Sequence, residues 1–119
     1  MNVQLEMLLE IQDLKAQRRD LEETSTEGVM EREVFHVSLD VALEELDRKI
    51  AEMEEGLDPR VRTRYQRLAG RRTRAVVPVI NGTCYGCFVS IPTAVVSGAD
   101  RNEDLRNCDS CGRFLYLID

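Results

Sequence analysis

Aromatic side chains are scarce in this 119-residue chain, which has no Trp, three Tyr and three Phe, 5% in all. A thick globular core draws on aromatic bulk, so this composition, with 32% charged residues, better suits a long helical surface. No apolar run approaches the roughly 18 residues needed to span a bilayer. The opening Met1-Asn2-Val3-Gln4-Leu5-Glu6 has neither the basic flank nor the apolar core of a signal peptide. A soluble, cytoplasmic protein without membrane contact is the expectation. Histidine occurs once, and there are no paired carboxylates near it, no glycine-rich phosphate loop and no nucleophile motif. The chain reads as a non-enzyme.

Cysteine is also rare, and its placement organises everything else. All four fall in Cys84-Tyr85-Gly86-Cys87 and Cys108-Asp109-Ser110-Cys111, twenty residues apart. Two C-x-x-C pairs at about this separation bend the backbone so that two pairs of thiolates close a tetrahedron around one zinc ion. A disulfide framework would need an oxidising compartment. A redox C-x-x-C would need its first cysteine at a helix N-terminus, which neither pair offers. A catalytic zinc keeps a coordination place open, whereas Cys84, Cys87, Cys108 and Cys111 fill all four. One structural Zn²⁺ is therefore expected. A segment of some 45 residues is too small to bury a stable core by itself, and zinc on four thiolates supplies about 10 to 16 kcal/mol of apparent folding free energy.

The net charge of -6 conceals a division. Residues 1–58 hold 17 acidic against 6 basic side chains, a balance of -11, and residues 59–119 hold 5 against 10, a balance of +5. The two surfaces either meet different partners or meet each other.

From Asn2 to Glu23 apolar residues recur at coiled-coil spacing, with Met7, Leu14 and Leu21 at one core position and Ile11 at the other, in register with Gln4 and Arg18. Arg18 is expected to snorkel from the seam. The block from Glu22 to Gly28 breaks the pattern, and Thr24 with Glu27 has capping-box spacing for a new helix. A second helix carries Val29, His36, Leu43, Ile50 and Leu57 at one core position and Leu39, Leu46 and Met53 at the other. His36 should pack in the seam, and the β-branched and aromatic stretch Val34–Ser38 leaves room for a restart capped by Ser38. Matching stripes joined by a short polar turn predict an antiparallel hairpin over residues 1–57.

Asp58-Pro59 then signals a helix start. Residues 58–74 form a connecting helix with Val61, Tyr65 and Leu68 on one stripe and Arg60, Arg64, Arg67, Arg71 and Arg74 on its neighbour, a cationic ridge suited to phosphates or an acidic surface. Residues 75–119 complete an α+β architecture as a three-stranded zinc ribbon. Its expected parts are an edge strand Ala75–Ile80 containing Pro78, an Asn81-Gly82 turn, a strand Phe88–Ile91, a loop or one-turn helix Thr93–Ser97 and a strand Arg113–Ile118. Gly112 follows the second pair and supplies a left-handed residue. Gly86 lies inside the first pair instead, so the two knuckles should differ.

Leu57-Asp58-Pro59, Tyr65-Gln66-Arg67-Leu68, Ala75-Val76-Val77-Pro78-Val79 and Asn81-Gly82 form one part of a longer signature. It continues through Cys84-x-Gly86-Cys87, Ile91-Pro92 and Cys108-x-x-Cys111-Gly112-Arg113-x-Leu115-Tyr116. With the opening Leu8–Leu14, these residues resemble the bacterial coiled-coil proteins that end in a four-cysteine zinc ribbon, although this chain has shorter helical arms. The resemblance implies a non-enzymatic adaptor in gene expression that binds an alternative sigma factor of RNA polymerase or a transcript. The outline is also similar to the secondary-channel transcription factors, whose acidic hairpin tip enters RNA polymerase. Glu22, Glu23 and Glu27 would stand at such a tip. A nucleic-acid binder using the arginine ridge is the alternative, and the sequence leaves monomer and homodimer equally open.

Overall fold

Helix α1 (Val3–Thr26) starts because Asn2 caps it: Oδ1 accepts the N–H groups of Gln4 at 2.8 Å and Leu5 at 3.2 Å. The computed structural model describes residues 1–26, 33–71, 74–97 and 102–118, with main chain alone for 24–26 and 33–38. Helix α2 is Glu33–Glu55 and helix α3 is Pro59–Arg71. The strands are β1 (Val76–Ile80), β2 (Thr83–Cys84) and β3 (Phe114–Leu117), with a single helical turn, α4 (Thr93–Val96), before β3. These elements make an α+β chain, helices first and a small sheet after. Among the described residues no helix is long and apolar enough to cross a membrane.

Contacts divide the chain into two compact units, Glu10–Gly56 and the combination of Met1–Leu9 with Leu57–Asp119. In the first, Ile11, Leu39 and Ile50 are buried, with Leu14, Leu43, Leu46 and Met53 half-buried. The α2 members of this set follow the 3-4 spacing of a helical seam. Lys15 pairs with Glu54 at 3.3 Å and Arg18 pairs with Asp47. Partner numbers fall along α2 as they rise along α1, so the helices run antiparallel. These ion pairs are worth little individually at an exposed surface; they report the direction that apolar burial stabilises.

Three local expectations change here. Arg18 does not simply snorkel: it is held by Asp47 and by Glu22 one turn along α1. The pattern break at Glu22–Gly28 comes later than the sequence suggests, because α1 continues through Thr26. Thr24 is therefore helical, and its proposed partner Glu27 lies outside the described residues. No restart occurs at Ser38, since α2 runs unbroken through Val34–Ser38. Extending a formed helix is cheaper than nucleating another, and the mild penalty of β-branched residues does not reverse that. Val29 and the His36 side chain lie outside the described set.

In the second unit, Gln4 Oε1 accepts the Asp58 N–H at 2.9 Å just before α3, so this residue serves a helix start and not a coiled-coil seam. Tyr65 and Leu68 form the buried stripe of α3, with Val61 half-buried beside them. Strand order is β2-β1-β3, with β1 antiparallel to β2 and parallel to β3. Pro78 thus sits in the central strand, contrary to the edge placement that its missing N–H suggests. The register explains why it is tolerated. Its carbonyl accepts the Tyr85 N–H at 3.0 Å, but it has no N–H to return, and the β1–β2 ladder covers only Val79↔Cys84 and Ile80↔Thr83. Pairing with β3 is served by its neighbours, as in Ile118 N–H to Val79 C=O at 3.0 Å. The expected strand Phe88–Ile91 is also absent, reduced to one bridge between Thr83 and Ser90.

Asn102 holds the outer edge of β3. Its side chain donates to the Leu117 carbonyl at 2.9 Å and accepts the Leu117 N–H at 2.8 Å, imitating a strand partner. It also adopts a left-handed φ of 63°, and its carbonyl accepts the Asn2 N–H at 2.6 Å. Asn102→Ala removes both bonds to a buried residue and the asparagine preference for that φ. The expected loss is about 2 kcal/mol in chemical denaturation, with faster hydrogen exchange at Leu117.

Candidate metal centre

The hairpin Asn81-Gly82, with φ of 53° and 73°, turns β1 into β2 and delivers Cys84 at the strand end. From there the two cysteine pairs repeat the same main-chain pattern. Phe88 N–H donates to Cys84 C=O at 2.6 Å and Cys84 N–H to Val89 C=O at 3.0 Å. Gly112 N–H donates to Cys108 C=O at 2.8 Å and Cys108 N–H to Arg113 C=O at 2.9 Å. The residue after each second cysteine is left-handed, with φ of 61° at Phe88 and 78° at Gly112.

The two knuckles are equivalent, which corrects the difference inferred from their glycines. Gly86 is glycine for a separate reason: a Cβ there would stand 2.6 Å from Arg113 Nη1. Phe88 adopts a conformation that costs an L-residue about 1–2 kcal/mol, and it does so while 69% exposed. Its ring meets that of Tyr85, with centroids 5.5 Å apart. Phe88→Gly is therefore expected to stabilise the zinc-loaded protein by about 0.5 to 1 kcal/mol, read as a higher denaturation midpoint.

The knuckles bring four sulfurs together. Cys84 Sγ lies 3.9 Å from Cys111 Sγ and Cys87 Sγ lies 3.7 Å from Cys108 Sγ, and all four are within 4.8 Å of one another. A tetrahedron with Zn–S bonds of about 2.3 Å has sulfurs about 3.8 Å apart. The site therefore fits zinc in donor type, number and spacing, and one structural Zn²⁺ belongs to it. Cys84 and Cys108 are buried while Cys87 and Cys111 are half-buried. The surrounding core is Val77, Val79, Ile91, Leu115 and Leu117, so the metal and the apolar cluster stabilise the same sheet face.

Ionisation of the metal-free sulfurs is uneven. Burial pushes the Cys84 thiol up against the opposing amides of Cys87 and Gly86. It pushes Cys111 up to about 12, with the Arg113 amide acting the other way. Cys87 is also penalised by burial, but the Val89 amide, followed by Cys108, Ser110 and Cys84, outweighs this and lowers it to about 7.

Glu22 and Glu23 are exposed on α1. Arg60, Arg64, Arg67 and Arg71 lie exposed along α3, whereas Arg74 is exposed beyond the helix end. None of the five pairs with a described acidic residue. By unit, Glu10–Gly56 holds 15 acidic and 6 basic residues, for -9, and the other unit 7 and 10, for +3. Phe88 and Arg113 were not recognised from sequence as parts of the centre. The signal for Phe88 was present, since it occupies the place after Cys87 that Gly112 occupies after Cys111.

With this geometry established, the family model of the C4-type zinc ribbon domain matches residues 83–115. That stretch is a C4-type zinc ribbon, preceded here by a helical region. Among solved structures, the chain is similar to CT398 from Chlamydia trachomatis, at 26% identity and a TM-score of 0.54, covering 68% of this chain and 35% of that one. It is also similar in fold to the HP0958 protein from Helicobacter pylori, at 24% identity and a TM-score of 0.60, covering 88% of this chain and 45% of that one. The chain spans less than half the length of either. No curated protein matches it.

Proposed function

We propose that this protein is a non-enzymatic, zinc-stabilised adaptor in transcription, whose acidic helical hairpin docks on RNA polymerase or a sigma factor. The observation that carries this reading is the complete tetrathiolate. Four cysteines leave zinc no open place for water or substrate, so the metal stabilises a fold and the helices supply the working surface. A charge balance of -9 on Glu10–Gly56 suits a basic docking surface and faster encounter with it. The test uses purified core polymerase and sigma factors with the immobilised full chain. Saturable binding that weakens on charge reversal at Asp40 and Glu44 supports the proposal, and absence of binding to every one of them refutes it.

The exposed arginines of α3 favour a second reading, nucleic-acid binding. A ridge at spacings of four, three and four, with no acidic partner among the described residues, suits a phosphate backbone. Phosphate contacts predict affinity that falls steeply with salt, the log–log slope dropping by about one for each contacting arginine replaced. An unchanged slope in Arg64→Ala/Arg67→Ala excludes this use of the ridge.

A further inference from the structure

The main chain of Arg113 belongs to the second knuckle, where its carbonyl accepts the Cys108 N–H at 2.9 Å and its amide serves the Cys111 sulfur. Its side chain reaches across to the first. A Cβ on Gly86 would stand 2.6 Å from Arg113 Nη1, 3.0 Å from its Cδ and 3.2 Å from Val77 Cγ1. The arginine therefore occupies space that only glycine leaves free, between Cys84 and Cys87. Gly86 N–H in turn donates to Cys84 Sγ at 3.4 Å, which places the guanidinium beside a peptide already bonded to the centre. Arg113 Nε is buried and makes no hydrogen bond, alone in this among the buried side-chain nitrogen and oxygen atoms of the described residues.

A buried donor on a permanent cation is costly unless something nearby compensates it. Zn²⁺ with four thiolates carries a formal charge of about -2, and it is the adjacent group able to do so. We propose that Arg113 is the counter-cation of the zinc–tetrathiolate. It is a positioning residue that spans the two knuckles, offsets part of the cluster's negative charge and strengthens zinc retention. It acts through Coulomb attraction at short range, because Nε forms no bond to sulfur. Zinc binding requires all four sulfurs as thiolates beside the guanidinium, so the arginine favours the loaded state.

The test compares full-length wild type, Arg113→Lys, Arg113→Met and Gly86→Ala by zinc competition against a chromophoric chelator under reducing conditions at neutral pH. Arg113→Met keeps much of the side-chain volume without the charge and should weaken zinc at least about tenfold, whereas Arg113→Lys should stay within about threefold of wild type. Gly86→Ala displaces the guanidinium and should weaken zinc by several-fold. Saturating cobalt should give every variant the absorption of a tetrahedral tetrathiolate, showing that the ligands still assemble. Wild-type zinc affinity in Arg113→Met or Gly86→Ala overturns the proposal. So does a lysine variant as weak as the methionine one, which assigns the effect to shape, or a methionine variant whose cobalt spectrum is not tetrahedral.

Discussion

Cys108→Ser is expected to unfold the ribbon. Zinc on four thiolates contributes about 10 to 16 kcal/mol of apparent folding free energy, comparable with or larger than the total stability of about 5 to 15 kcal/mol in ordinary domains. A single lost thiolate therefore leaves the sheet with a core too small to persist. The damage should stop at a definite boundary. Met1–Leu9, α3 and α4 belong to the same unit as the sheet, while the rest of α1 and all of α2 form the other. Far-UV circular dichroism should lose roughly a third of its helical signal, with zinc content falling from one equivalent towards zero. A variant that keeps full zinc and an unchanged spectrum would remove Cys108 from the ligand set.

Acid should release the metal steeply. Cys84 is raised above the ordinary thiol and Cys111 is pushed up to about 12, so both hold protons in the metal-free protein at neutral pH. Unfolded cysteines, with a pKa of about 8.5, do the same. Zinc must displace these protons, at least two per ion, and each displaced proton contributes a factor of ten per pH unit. Affinity should rise by at least about 100-fold per unit through the range of about pH 6 to 7.5 and fall equally as pH drops. Cys87, lowered to about 7, is partly ionised in that window and adds less. Competition titrations at several pH values read the slope, and a flat dependence would contradict thiolate ligation.

The metal centre was legible in the sequence because ligand chemistry is local. Each C-x-x-C fixes a bend within four residues, and zinc's demand for four sulfurs joins the two bends whatever lies between them. Helix α3 was legible for a similar reason, since Pro59 starts it and Tyr65 and Leu68 state its buried face. The sheet was less so. Pro78 marks an edge in most sheets, and its central position depends on a partner, β2, that pairs with only two β1 residues. Phe88–Ile91 has strand composition, but left-handed Phe88 turns that segment into part of a knuckle. Asn102 and Arg113 were beyond local reading altogether: one substitutes for a strand 15 residues away, and the other fills the space over Gly86. Both roles depend on tertiary neighbours and not on a sequence period.

Hydrogen exchange at Val77 and Val79, measured with and without zinc under reducing conditions, tests the dependence of the fold on its metal most directly. Both residues are buried in the cluster that contains Cys84 and Cys108. Strong protection in the loaded protein that collapses to nearly unprotected rates when a chelator removes zinc, and returns on adding one equivalent, is the predicted result. Protection that survives complete removal of the metal would contradict it.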